Sequence, residues 1–167
     1  MDISFIPIVV GIVIGYISKG MKGDEVMKKI LFIICLSLLS YIGGFAAYNL
    51  ALWMIWDQVM SSGSGDFVAV LFWGGMAFFA LAVPSYLGII HFIGQRFKGK
   101  EVWLYPIGCV TVFFVPTLCI MMMFGGINLS VLFGPEAMLF HVFFVTSGLI
   151  FGLGSGAMKR FLSTSVV

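Results

Sequence analysis

Ionised side chains are missing from most of this 167-residue sequence. It carries nine Lys and Arg and seven Asp and Glu, and none falls inside five long apolar stretches, Ile3–Ser18, Ile30–Trp56, Phe67–Gln95, Val102–Pro135 and Ala137–Met158. Proton relays and ion-coupled carriers keep Asp, Glu, Lys or Arg within the membrane, so this absence argues against both. Histidine and cysteine are nearly as scarce. His91 lies toward the end of the third stretch and His141 toward the start of the fifth, at opposite faces of a bilayer. One haem or metal ion cannot take both from a single chain. Cys35, Cys109 and Cys119 show no C-x-x-C spacing, and the last two stand roughly 15 Å apart along one helix, too far for a disulfide. An intramembrane hydrolase needs a nucleophile with a base in reach, and neither histidine has an evident partner. We therefore expect no catalytic residue, no metal site, no cofactor and no enzymatic activity.

What is present is apolar. Hydrophobic residues make up 61% of the chain and mean hydropathy is +1.14, against about 45–50% apolar content in soluble domains. Crossing a hydrocarbon layer takes about 20 helical residues, and four of the five stretches reach that length. Ile3–Ser18 is shorter and spans only about 24 Å, so it needs Lys19 to snorkel or the bilayer to thin. Its acidic start, Met1-Asp2, and the poor cleavage context Tyr16-Ile17-Ser18-Lys19 make it a retained helix rather than a signal peptide. The expected fold is all-α: a polytopic membrane protein with one transmembrane domain over residues 1–167. Its five helices are expected over about 3–18, 30–56, 67–95, 102–124 and 137–158.

Basic residues sort to one side. Lys19, Lys22, Lys28 and Lys29 separate the first two stretches, Arg96, Lys98 and Lys100 the third and fourth, and Lys159-Arg160 follow the fifth. The opposite connections hold only Asp57, Asp66 and Glu136. By the positive-inside rule the N-terminus lies outside and the C-terminus inside. The short basic loops leave no room for a sizeable soluble domain. Asp24, Glu25, Asp66 and Glu136 each stand where a helix begins, where orphan N–H groups and the positive dipole end favour acids. Asp57 follows a helix C-terminus, where a negative charge is unfavourable, and is the one acid to watch. Trp53, Trp56, Trp103 and Tyr105 read as interfacial anchors.

In lipid, helices associate by close backbone approach at small residues. Gly148, Gly152 and Gly156 form such a ridge on the fifth stretch, Gly11 and Gly15 a pair on the first, and Gly43, Ala47 and Ala51 a stripe on the second. These are the candidate interaction residues, suited alike to internal packing, a second copy or a partner helix. Pro84, Pro106 and Pro116 each remove a backbone donor, and Ser85, Thr111 and Thr117 stand near enough to serve the freed carbonyls. Tyr41, Tyr48 and Asn49 with Thr146 and Ser147 form a polar group suited to interhelical hydrogen bonds. The connection Gly125–Pro135 is unusually apolar and is expected at the outer interface or folded back into the bundle. The hairpin Gly11–Tyr48, with its turn Lys19-Gly20-Met21-Lys22-Gly23, resembles hairpins of uncharacterised bacterial inner-membrane proteins. That resemblance covers under a quarter of the chain and carries no activity.

Two functions fit. One is a non-enzymatic protein of a bacterial inner membrane that works through helix contacts: an immunity protein against a membrane-inserting toxin, or an accessory subunit of a membrane complex. Its partners would be the lipid bilayer and another membrane protein or a second copy, with no nucleic acid. The other is a small transport or ligand-binding component for an uncharged or apolar solute, suggested by the prolines, by Gly43-Gly44, Gly74-Gly75 and Gly125-Gly126, and by the apolar outer connection.

Overall fold

A computed structural model describes residues 23–58, 60, 65–97, 99–125 and 134–164. All elements among them are helical. We label them α1 (Gly23–Trp56), α2 (the continuous helical run 65–96), α3 (Glu101–Gly125) and α4 (Pro135–Thr164). They correspond to the second to fifth apolar stretches. The first stretch, with Gly11 and Gly15, and the connection after Gly125 lie outside the described residues. Met27–Trp56, Phe67–Arg96 and Ala137–Lys159 are each long and apolar enough to cross a membrane, and Glu101–Phe114 forms a shorter apolar run within α3.

Helix ends follow local chemistry. Asp57 closes α1 with φ 54° while its N–H donates to Trp53 O at 2.9 Å. Aspartate tolerates this left-handed conformation better than most residues, which suits an acid to this helix C-terminus. Between α2 and α3, Gly99 has φ +89°, and Phe97 N–H caps α2 through Ile93 O at 2.8 Å. So short a turn makes α2 and α3 antiparallel neighbours.

The interior of α2 departs from regular α-helix. Val70–Gly74 and Phe78–Ala82 are wound as π-helix, and Val83 N–H reaches back five residues to Phe78 O. Pro84 explains the second widened turn: it has no N–H for Ala80 O, and its ring would strike that carbonyl in a regular helix. Ser85 was expected to serve the freed carbonyl. Its Oγ donates instead to Leu81 O at 2.7 Å. Thr117 behaves likewise beyond Pro116, donating to Phe113 O at 2.7 Å rather than to Val112 O, and Thr111 donates to Ile107 O at 2.8 Å. A hydroxyl four residues along reaches the carbonyl one turn below itself, which is the neighbour of the one a preceding proline frees.

α4 is the central helix. More of its apolar window is buried (39%) than of the α1 (28%) or α2 (18%) windows. Close backbone packing joins α4 to α1 and α3, and α3 to α2. Glycine permits the α3 contact. A Cβ at Gly148 would lie 3.0 Å from Cys109 C and O and from Val110 N, and one at Gly152 would press into Pro106 Cα, 2.5 Å from Pro106 N and 2.8 Å from Tyr105 C. At Gly156 the helices diverge and Val102 Cα stands 3.6 Å away. The α1 side is closed by a different set. A Cβ at Gly44 would lie 3.1 Å from Phe143 O and from Ser147 Cβ, and one at Gly154 would press into the Leu36 side chain.

The two ends of the glycine ridge should therefore respond differently to one methyl group. Alanine gains about 1 kcal/mol of helix propensity over glycine, whereas overpacking costs roughly 1–3 kcal/mol. We predict that Gly152→Ala lowers the unfolding midpoint in lipid micelles, because its neighbours are backbone atoms, while Gly156→Ala leaves it unchanged or raised.

Candidate functional site

Three features gather chemistry-bearing side chains. The first is a buried knot joining three helices. Ser40 on α1 donates through Oγ to Ser147 O on α4 at 2.6 Å. Tyr86 on α2 places its hydroxyl 3.1 Å from Ser147 Oγ, which donates in turn to Phe144 O at 3.3 Å. That order makes Tyr86 O–H the donor to Ser147. Tyr86, Ser40 and Ser147 are fully buried, together with Phe151, Cys109 and Ser37. Tyr41 adds a fourth link, donating to Leu71 O at 3.1 Å across α1 and α2. Each such bond between membrane helices contributes about 0.6 kcal/mol on average, up to about 1.7.

Of the polar group read from sequence, Ser147 and Tyr41 join helices, whereas Asn49 Nδ2 donates within its own helix to Phe45 O at 3.0 Å. Ser40 and Tyr86 were missed. A signal existed for Ser40: Ser37, Ser40 and Gly44 recur at helical spacing on α1 and are all buried. The stripe read from sequence lies a notch round that helix, with Gly43 against Ile150 and Ala47 and Ala51 only half-buried. Serine prevails because it offers both a small body and a donor.

The second feature is an ion pair at the Lys-rich end of the bundle. Glu101 opens α3 and is 9% exposed, and Lys159 Nζ on α4 donates to its Oε1 at 2.5 Å. The Lys159 hydrogen bond holds the Glu101 carboxyl below its ordinary pKa. Every charge had been placed outside the helices, and Glu101 lies at the boundary, yet it is buried. Tyr105, one turn further, is also buried rather than interfacial: its hydroxyl would lie 3.0 Å from a Cβ at Gly94 of α2. The four tryptophans, by contrast, are all exposed.

The third feature is a cavity of about 280 Å³ between α1 and α2. Tyr41, Phe45 and Tyr48 line it from α1, and Gly74, Ala77, Phe78, Leu81 and Ala82 from α2, each set following one helical face. Phe113 of α3 and Phe140, Phe143 and Phe144 of α4 complete it. The void exists because three of the five α2 positions are Gly or Ala while the facing residues are rings. The rings fix one another: Tyr41 lies 5.3 Å from Phe78 and 5.9 Å from Phe143, and Phe113 stacks on Phe144 at 5.0 Å. Ala77, Leu81 and Phe140 are exposed and form the mouth.

Among the described residues, no three of His, Cys, Asp and Glu converge as metal ligands. Cys35 is exposed on α1 and Cys109 is buried on α3. The side chains of Cys119 and of the four acids assigned to helix starts lie outside the described residues. Comparison with family models, curated proteins and solved structures finds no match.

The pair gives the bundle a defined acid response. Because the folded Glu101 pKa is depressed, its contribution is fully present above the ordinary carboxylate range and is lost as pH falls through the lowered value. Glu101→Gln should therefore lower the unfolding midpoint at pH 7, and the two titration curves should converge in acid. Parallel curves down to pH 3 would remove the pair from the account.

Proposed function

We propose that this chain is a non-enzymatic, multi-pass protein of a bacterial inner membrane that acts through helix contacts within the bilayer, as an immunity protein against a membrane-inserting toxin or as an accessory subunit of a membrane complex. The proposed topology has five spans, N-terminus outside and C-terminus inside, which the one-sided basic residues support. The observation that carries the reading is a division of labour on α1. Ser37, Ser40 and Gly44 are turned inward onto α4, while Leu31, Leu38, Leu39 and Ile42 are exposed. Ser37 and Ser40 are committed to the chain's own fold, and an aliphatic face is left for a helix of another protein or a second copy.

A second reading, a binding component for an uncharged or apolar solute, is favoured by the cavity between α1 and α2. Its wall is apolar, which suits an apolar ligand better than a polar one.

A photo-crosslinking residue placed at Leu39 or Ile42 in living cells should give discrete protein adducts, and one at Phe151 none beyond the chain itself. Adducts with lipid alone at both exposed positions would contradict the helix-contact reading. A reporter active only outside the cytoplasm should be active at Ser62 and silent at Lys98 or after Val167, and the reverse pattern would overturn the orientation.

A further inference from the structure

We propose that the cavity between α1 and α2 is a binding site for one hydrocarbon chain of a membrane lipid, admitted sideways from the bilayer. This rests on the second reading above and names its ligand class.

The surroundings select the ligand. The mouth, formed by Ala77, Leu81 and Phe140, opens within helices long and apolar enough to span a membrane, so the phase outside it is hydrocarbon. Water is a poor occupant, because a buried water needs two to four polar partners. Aromatic rings and aliphatic groups make up the wall, and the Tyr41 hydroxyl already donates to Leu71 O. An empty void would forfeit dispersion contacts along all its walls.

Shape agrees with a chain. The lining runs from Tyr41 to Tyr48 along α1, roughly 10 Å at the helical rise, or about a third of a hydrocarbon core. That accommodates the end of an acyl or isoprenoid chain and leaves its headgroup at the surface marked by Trp53 and Trp56.

A separate observation points to the same place. Both π-helical segments of the described chain contribute to this wall, Val70–Gly74 through Gly74 and Phe78–Ala82 through Phe78, Leu81 and Ala82. Widened turns of this kind gather at functional sites. Pro84 accounts for the second of them, but no proline stands near the first. The entrance follows from the packing: α1 and α2 face one another through Tyr41, Phe45, Phe67, Phe78 and Phe79, while their close backbone contacts are made to α4 and α3 respectively. A chain can part rings where it cannot part backbones.

The test uses the full chain in phosphatidylcholine vesicles in which one acyl chain carries a photoreactive diazirine at its end. Peptides containing Ala77, Leu81 or Phe144 should be labelled. Ala77→Phe, which puts a ring at the mouth from an exposed position, should cut that labelling about tenfold, since a close-packed site leaves no void. Ile107→Phe, at an exposed position of α3 away from the cavity, should leave it unchanged. Leu81→Trp is the second blocking variant should Ala77→Phe not accumulate. Equal labelling of wild type and both blocked variants would overturn the proposal. Labelling of these residues by a small free aryl diazirine, but not by the lipid, would overturn the chain assignment while keeping a ligand-binding cavity. Labelling by neither would overturn both.

Discussion

Because lipid tails are as apolar as leucine, helices in a bilayer gain little from hiding apolar surface against one another. Three helices of this chain are long and apolar enough to cross a membrane, and α4 packs in two ways that suit that constraint. Toward α3 it uses glycine, and Gly148 and Gly152 let backbones meet at distances where a Cβ would collide. Toward α1 and α2 it uses Ser147, whose carbonyl receives Ser40 and whose hydroxyl receives Tyr86. One fully buried residue thus ties three helices, and Phe151, one turn along, packs on Tyr86 with ring centroids 5.0 Å apart.

The same arrangement explains where the bundle is loose. α1 and α2 are drawn to α4 and α3, so the space between them is left to side chains. Small residues on α2 then leave that space incompletely filled, and its two π-helical turns stand on the unfilled side. Tight backbone contact at one seam and an apolar cavity at the other are two outcomes of the same packing.

Much of this was legible in the sequence. The apolar runs located the described helices to within a few residues at most ends, because so long an apolar run pairs its backbone most simply within a helix. α1 and α4 run further, beginning at Gly23 and ending at Thr164, because the polar residues flanking the apolar runs continue the helix. The ridge Gly148/Gly152/Gly156 was visible as spacing, but nothing in its spacing names α3 as the neighbour. Tyr86 and Ser40 were illegible as a pair because each is an ordinary residue on its own helix, and only the arrangement of helices makes them partners. The cavity is harder still, since it depends on Gly74, Ala77 and Ala82 facing rings from three other helices. Glu101 and Lys159 were within reach: both sit at ends of the fourth and fifth stretches that the positive-inside rule had already placed together. The first stretch, with Gly11 and Gly15, stays as the sequence left it.

The central claim is that Ser147 couples helices rather than merely filling space. A double-mutant cycle of Tyr86→Phe and Ser147→Ala, measured by reversible unfolding in lipid bicelles, tests it directly, because neither change removes the Ser147 carbonyl that Ser40 uses. The account predicts a coupling free energy of about 0.6–1.7 kcal/mol between the two sites. Strictly additive effects would contradict it.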